Sequence, residues 1–188
     1  MKEEIFSHIN NSNTMINIIQ AEFVYEKLIR LPDKGRIVDV GTGQGHAARF
    51  FAMTKPKWTI YTIDGYGLYG SIRNVWNKEG ENSFIERGPQ VVRANWDVCK
   101  VKNIIQIFGN TWDIPWELKA DVIYIDTDHS YDGVKKDVEH WVPFLKKNGL
   151  LMFHDYNNTY QVKDYIDKNM LDDWDIEHKD CLAILKRK

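Results

Sequence analysis

Two short stretches hold the side chains best suited to chemistry, IDTDHSY at Ile125–Tyr131 and FHDY at Phe153–Tyr156. Each closes an apolar run, and if those runs are neighbouring parallel strands, Asp126 and Asp155 reach the same rim of a sheet. Two carboxylates with an imidazole at one rim suit a divalent cation held by mixed oxygen and nitrogen ligands. Asp126, His154 and Asp155 are the candidate ligands. His129, three residues after Asp126, titrates in the range needed to take a proton near neutrality, which makes it the candidate catalytic base with Asp126 beside it. Taken singly, His129 serves equally well as a cap for the helix that follows, and His154 as an ordinary strand-end histidine.

A third stretch, RIVDVGTGQGHAA at Arg36–Ala48, reads as a short buried strand, a glycine turn and the start of a helix. Gly41, Gly43 and Gly45 alternate through the turn. Glycine is required where the backbone takes positive φ or where a ligand must approach the main chain, and a strand, glycine turn and helix in that order make a nucleotide-binding crevice. A nicotinamide fingerprint, GxGxxG, needs its third glycine at position 46, where this chain has His46. The spacing is instead DxGxGxG from Asp39 to Gly45, and a second strand closes on Asp64 and Gly65.

This combination resembles the class I S-adenosylmethionine-dependent methyltransferases. The resemblance implies that the glycine backbone lines the amino-acid end of the donor, that Asp64 accepts hydrogen bonds from both ribose hydroxyls, and that Asn110 and Thr111 lie near the adenine. The cofactor-binding set it implies is Asp39, Gly41, Gly43, Gly45, Asp64, Gly65, Asn110 and Thr111. From Arg36 to the end of the chain, the strand ends also resemble those of the small metal-dependent O-methyltransferases of the catechol, caffeoyl-CoA and macrolide-sugar types. By that resemblance Asp126 and Asp155 match the Mg²⁺ ligands and His129 the base. His154 stands where those families carry a carboxylate, and imidazole favours softer ions such as Mn²⁺, Fe²⁺ or Zn²⁺. The expected activity is methyl transfer from S-adenosylmethionine to a hydroxyl of a small molecule, assisted by a divalent cation, Mg²⁺ or Mn²⁺. The alternatives are a metal-independent methyltransferase acting on an N or O nucleophile, and a non-catalytic cofactor-binding protein that kept the fold.

The elements that must position these residues follow from periodicity. Apolar positions from Met15 to Leu31 predict a leading helix over residues 12–31, capped by Ser12 or Asn13 and ended before Pro32. Strands are expected at Arg36–Val40, Trp58–Asp64, Ile104–Asn110, Ala120–Asp126 and from Gly149 to Asp155. Helices are expected from Gly45 to Thr54, from Ser130 to an end at Gly149, and from Tyr160 to Leu171. Gly65, Gly67 and Gly70 open a loop, residues 71–102 read as helical with an uncertain boundary, and the chain closes in a hairpin. Strands alternating with helices predict an α/β fold, a Rossmann-like, doubly wound, mainly parallel sheet with a C-terminal antiparallel hairpin, in one domain spanning 1–188.

With 25 basic and 27 acidic residues among 188, the net charge of −2 gives no electrostatic reason to expect nucleic acid or an anionic membrane as partner. No run approaches the ~18 apolar residues of a membrane span, so a cytoplasmic protein with a small hydroxylated acceptor is expected; the apolar leading helix is compatible with a homodimer. Cys99 and Cys181 lack metal spacing and read as reduced packing residues. His46 reads as helix surface, Asp128 as a loop carboxylate, Asp137 as a helix charge, and Trp112, Trp116 and Tyr156 as packing.

Overall fold

The computed structural model describes residues 2–10, 16–65, 92–94, 96–157 and 160–188. The described strands are β1 (Arg36–Val40), β2 (Thr59–Asp64), β3 (Ile104–Phe108), β4 (Ala120–Ile125), β5 (Leu145–Phe153), β6 (Trp174–Lys179) and β7 (Leu182–Arg187). They form a seven-stranded sheet in the order β3-β2-β1-β4-β5-β7-β6. The first five run parallel, and β7 pairs antiparallel with both β5 and β6. This is the Rossmann-like, mainly parallel sheet with a terminal hairpin expected from the sequence. The order of strands reverses between β1 and β4, and that switch point is where α/β sheets open a crevice at their carboxyl ends.

Central strands are apolar in both directions because both faces are covered. Ile37, Ile60, Val122, Tyr124 and Met152 face one side, where α2 (Ile18–Leu28) and α3 (His46–Thr54) contribute Ala21, Val24, Leu28, Phe50 and Phe51. On the other, Val38, Val40, Ile63, Ile123, Ile125, Leu151 and Phe153 meet α4 (Tyr131–Trp141) and α5 (Val162–Asn169) through Val134, Val138, Trp141, Tyr165 and Ile166.

Several boundaries differ from expectation. The leading helix begins at Ile18 because Asn17 and Gln20 form a reciprocal capping box; Ser12 and Asn13 lie outside the described residues. A separate helix α1 (Lys2–Asn10) precedes it, burying Ile5, Phe6 and Ile9. Gly149 does not end α4. That helix stops at Trp141 and passes through a 3-10 turn (Val142–Phe144) containing Pro143, which cannot continue an α-helix. β5 therefore starts at Leu145, and Gly149 lies inside it, where a Cβ would stand 2.9 Å from the Asp121 carbonyl oxygen. Of the stretch 71–102, residues 92–94 and 96–98 are helical and residues 71–91 and 95 lie outside the described residues, as do Gly67 and Gly70.

Candidate active site

The glycine loop leaves β1 with Gly41 at φ +103°, Gly43 at +49° and Gly45 at +78°. Gly41 is a glycine of close approach: a Cβ there would lie 1.9 Å from the main-chain oxygen of Asp126, so the loop packs directly on the end of β4. Gly43 differs, since a Cβ there would meet no atom of the described residues within 4 Å. Among the described residues its main chain is uncovered, as a ligand cradle requires. Asp64, at the end of β2, turns toward this cradle, and its Oδ2 accepts a hydrogen bond from the Gly43 N–H at 2.8 Å. The Trp96 indole N–H donates to the Gly45 oxygen at 3.0 Å and closes the loop's far side.

Asp39 supports the loop from beneath. It is fully buried, accepting from the Thr62 hydroxyl at 2.6 Å, and Thr62 in turn shares a 2.7 Å hydrogen bond with Thr42 inside the loop. Burial pushes its pKa well above the usual carboxylate range, the Thr62 hydrogen bond offsets part of this, and the charges of Asp126 and Asp64 add to the rise. His46, at the first position of α3, is buried rather than on the helix surface.

Past β3, Thr111 is also buried, its hydroxyl donating to Asp137 at 2.8 Å, while its carbonyl accepts from the Trp141 indole N–H at 2.9 Å. Asn110, just before it, is partly exposed. Asp137 is not a solvated helix charge: it is fully buried on α4 and takes a second hydrogen bond from Thr127, next to Asp126. Burial raises its pKa to about 6 against the pull of the two threonine hydrogen bonds. One carboxyl thus ties the loops after β3 and β4 to the same helix.

The second half of the site lies at the ends of β4 and β5. Asp126 is anchored by its N–H to the Val40 carbonyl, and His154 by its N–H to the Ile125 carbonyl, continuing the sheet by one residue on each strand. Asp155 then adopts φ +57°, a left-handed conformation that an aspartate tolerates better than most side chains. His129 Nε2 stands 3.1 Å from both Asp126 Oδ1 and Asp155 Oδ2. His154 Nδ1 is 3.2 Å from Asp155 Oδ2 and 3.7 Å from Asp126 Oδ1. Nδ1 is thus buried facing both carboxylates. Burial lowers the pKa of each imidazole, but the neighbouring carboxylates outweigh it. Asp126 and Asp155 raise His129, and Asp155, Asp126 and Asp180 raise His154.

All four residues singled out for chemistry are therefore brought together. Asp126, His129 and Asp155 offer ligand atoms within 4.8 Å of one another, as do His154, Asp155 and Cys181. That donor set, oxygens with imidazole nitrogens, fits a divalent cation. Asp128 is engaged locally as a loop carboxylate, accepting from the Ser130 N–H. Trp116 packs on Tyr61 and Trp141, and Tyr156 is buried. Residues the sequence did not flag are Gln20, which reaches His154 from α2, and Tyr160, whose ring stacks on His129 at 4.7 Å. Gln20 lies far from His154 in sequence and carries no local signal. Tyr160 is one aromatic among 24 in the chain.

Residues 38–156 match the family model described as a methyltransferase domain, and the chain belongs to that family. No curated protein matches the sequence. The fold is shared with the O-methyltransferase NovP (TM-score 0.68, 16% identity, covering 95% of this chain and 83% of NovP). It is shared with the calicheamicin methyltransferase CalS11 (TM-score 0.63, 15% identity, 98% and 90% covered) and with an rRNA methylase from Streptococcus thermophilus (TM-score 0.63, 14% identity, 93% and 99% covered). The fold is thus that of the class I S-adenosylmethionine-dependent methyltransferases, as the strand-end motifs implied. No helix among the described residues is long and apolar enough to cross a membrane.

Proposed function

We propose that the protein transfers a methyl group from S-adenosylmethionine to a hydroxyl of a small molecule, assisted by a divalent cation. One observation carries this reading: His129 Nε2 sits 3.1 Å from two carboxylates, Asp126 and Asp155, on strand ends adjoining the glycine loop. The open main chain at Gly43, with Asp64 closing on it, fits the donor. When bound, the donor supplies an electrophilic methyl carbon on a sulfonium, and a cation on Asp126, Asp155 and His154 acidifies an acceptor hydroxyl.

The chain's own residues do the rest. Asp64 accepts from the donor's ribose hydroxyls, and the glycine backbone brings the donor down onto the end of β4. With its Nε2–H turned to Asp126 and Asp155, His129 receives the acceptor's hydroxyl proton on its other ring nitrogen, and Asp126 steadies the imidazolium that results. The enclosed strand-end site holds acceptor and donor in line, which removes much of the entropic cost of bringing them together. CalS11 is described as a TDP-rhamnose 3'-O-methyltransferase, which supports a sugar-like hydroxyl as acceptor. The acidic balance of this chain supports a small molecule over an RNA.

The test is methyl transfer to a panel of hydroxylated sugars and phenols, with and without chelator, in the wild type and in His129→Ala. The expected outcome is loss with chelator and a fall in kcat of about 10²-fold or more in His129→Ala, the usual contribution of a positioned base. Undiminished turnover in both arms removes the metal and base roles together.

A further inference from the structure

His154 has its two ring nitrogens in different surroundings, and the polarity of one side is fixed. Gln20 Oε1 accepts from the Asn17 main-chain N–H at 3.0 Å, while Gln20 Nε2 donates to Asp180 Oδ2 at 3.1 Å and to Cys181 Sγ at 2.8 Å. A backbone N–H only donates and a carboxylate only accepts, so these two partners settle which end of the Gln20 amide is oxygen. That oxygen faces His154 Nε2 at 3.4 Å, with Cys181 Sγ at 4.0 Å as a second acceptor. Nε2 therefore carries the hydrogen.

The other nitrogen, Nδ1, faces two carboxylates, Asp155 Oδ2 at 3.2 Å and Asp126 Oδ1 at 3.7 Å, in a side chain only 5% exposed. A ring nitrogen buried against two anionic oxygens needs a positive centre between them, a proton in the metal-free protein or a metal ion that displaces it. A cation there converts three mutually repelling donors into ligands. The outer hydrogen bond from Nε2–H to Gln20 is the kind of contact that fixes a ligand's tautomer and orientation.

We infer that His154 ligates through Nδ1, that Gln20 on α2 is the positioning residue holding it in that tautomer, and that the site consequently selects a borderline first-row ion such as Zn²⁺ or Mn²⁺ over Mg²⁺. This rests on the metal-assisted reading above and deepens it. Mg²⁺ prefers an all-oxygen octahedron and sheds its water reluctantly. An imidazole nitrogen beside two carboxylates suits Mn²⁺ to Zn²⁺ instead. The Nε2 side of the ring does not compete as a metal site, because its hydrogen is committed to Gln20.

The experiment is calorimetry of the full chain, stripped with chelator and titrated separately with Zn²⁺, Mn²⁺ and Mg²⁺. Wild type, His154→Asp, His154→Ala and Gln20→Met are compared. Divalent transition ions outrank Mg²⁺ at many sites, so the diagnostic quantity is the change in the ratio. His154→Asp should shrink the Zn²⁺ to Mg²⁺ preference by about tenfold or more, and Gln20→Met should weaken Zn²⁺ by about 10–100-fold. Because Gln20 also completes the cap of α2, folding is checked by circular dichroism and by S-adenosylhomocysteine binding, which all three variants should retain. The readout a merely structural Gln20 would not move is the ¹⁵N spectrum of the His154 ring. Nε2–H should persist in the Zn²⁺-loaded wild type, with Nδ1 showing the metal-induced shift. An unchanged preference in His154→Asp, or Nδ1 still protonated at Zn²⁺ saturation, overturns the inference and leaves the proposed function standing. No binding of any ion overturns both, while donor binding remains a separate result.

Discussion

Replacing Asp137 with asparagine should make the protein more stable at neutral pH and should do so in a pH-dependent way. The carboxyl is fully buried, and burial lifts its pKa from 3.8 to about 6 despite hydrogen bonds from Thr111 and Thr127. A folded pKa above the unfolded value means that the folded protein binds this proton more tightly. Its contribution to stability is therefore complete below about pH 4 and is lost as pH rises through about 6. At ~1.4 kcal/mol per pKa unit, carrying the ionised form costs the folded state about 3 kcal/mol by pH 7. Asparagine resembles the protonated acid in shape and charge, so it should match wild type near pH 4 and exceed it by about 3 kcal/mol at pH 7.5. Urea unfolding of both proteins from pH 4 to 8 isolates the effect, because other titrations cancel in the difference. Two parallel stability curves, or an asparagine variant weaker at pH 7.5, would show that the ionised carboxylate is well accommodated and refute the reasoning. Donor binding should change little, since the amide can still bridge Thr111 and Thr127.

The glycine loop offers two further expectations that separate fold from ligand. Gly43→Ala places its Cβ more than 4 Å from any described residue beyond its chain neighbours, at φ +49°. Its stability should fall by only about 1–2 kcal/mol, the strain of a left-handed alanine, while S-adenosylhomocysteine affinity in calorimetry falls by about tenfold or more. Gly41→Ala drives a Cβ to 1.9 Å from the Asp126 carbonyl, so thermal unfolding should register a loss of more than about 3 kcal/mol. A Gly41 variant as stable as the Gly43 variant would mean that the loop does not pack on β4.

The sheet was legible because its signals are local. The apolar runs of β1, β4 and β5 and the punctuating glycines of the loop need no partner to be recognised. The gathering of Asp126, His129, His154 and Asp155 was legible because parallel neighbours carry their carboxyl ends to one rim. Other features depend on contacts between distant segments and leave no pattern in the sequence. Gln20 meets His154 only after α2 has docked, and Asp137 reads as a surface charge until α4 buries it against Thr111 and Thr127. The helix after Ser130 was overextended because Gly149 looked like a terminator, while Pro143 had already ended it. The helix α1 was missed although Ile5, Phe6 and Ile9 carry a helical spacing.

The central claim is that a sulfonium donor lies on the loop that Asp64 closes, and calorimetry with S-adenosylhomocysteine on wild type and Asp64→Ala tests it most directly. One-site binding to wild type is expected, with a loss of about tenfold or more in the variant and the fold intact by circular dichroism. No heat with wild type, or equal affinity in the two proteins, would contradict it.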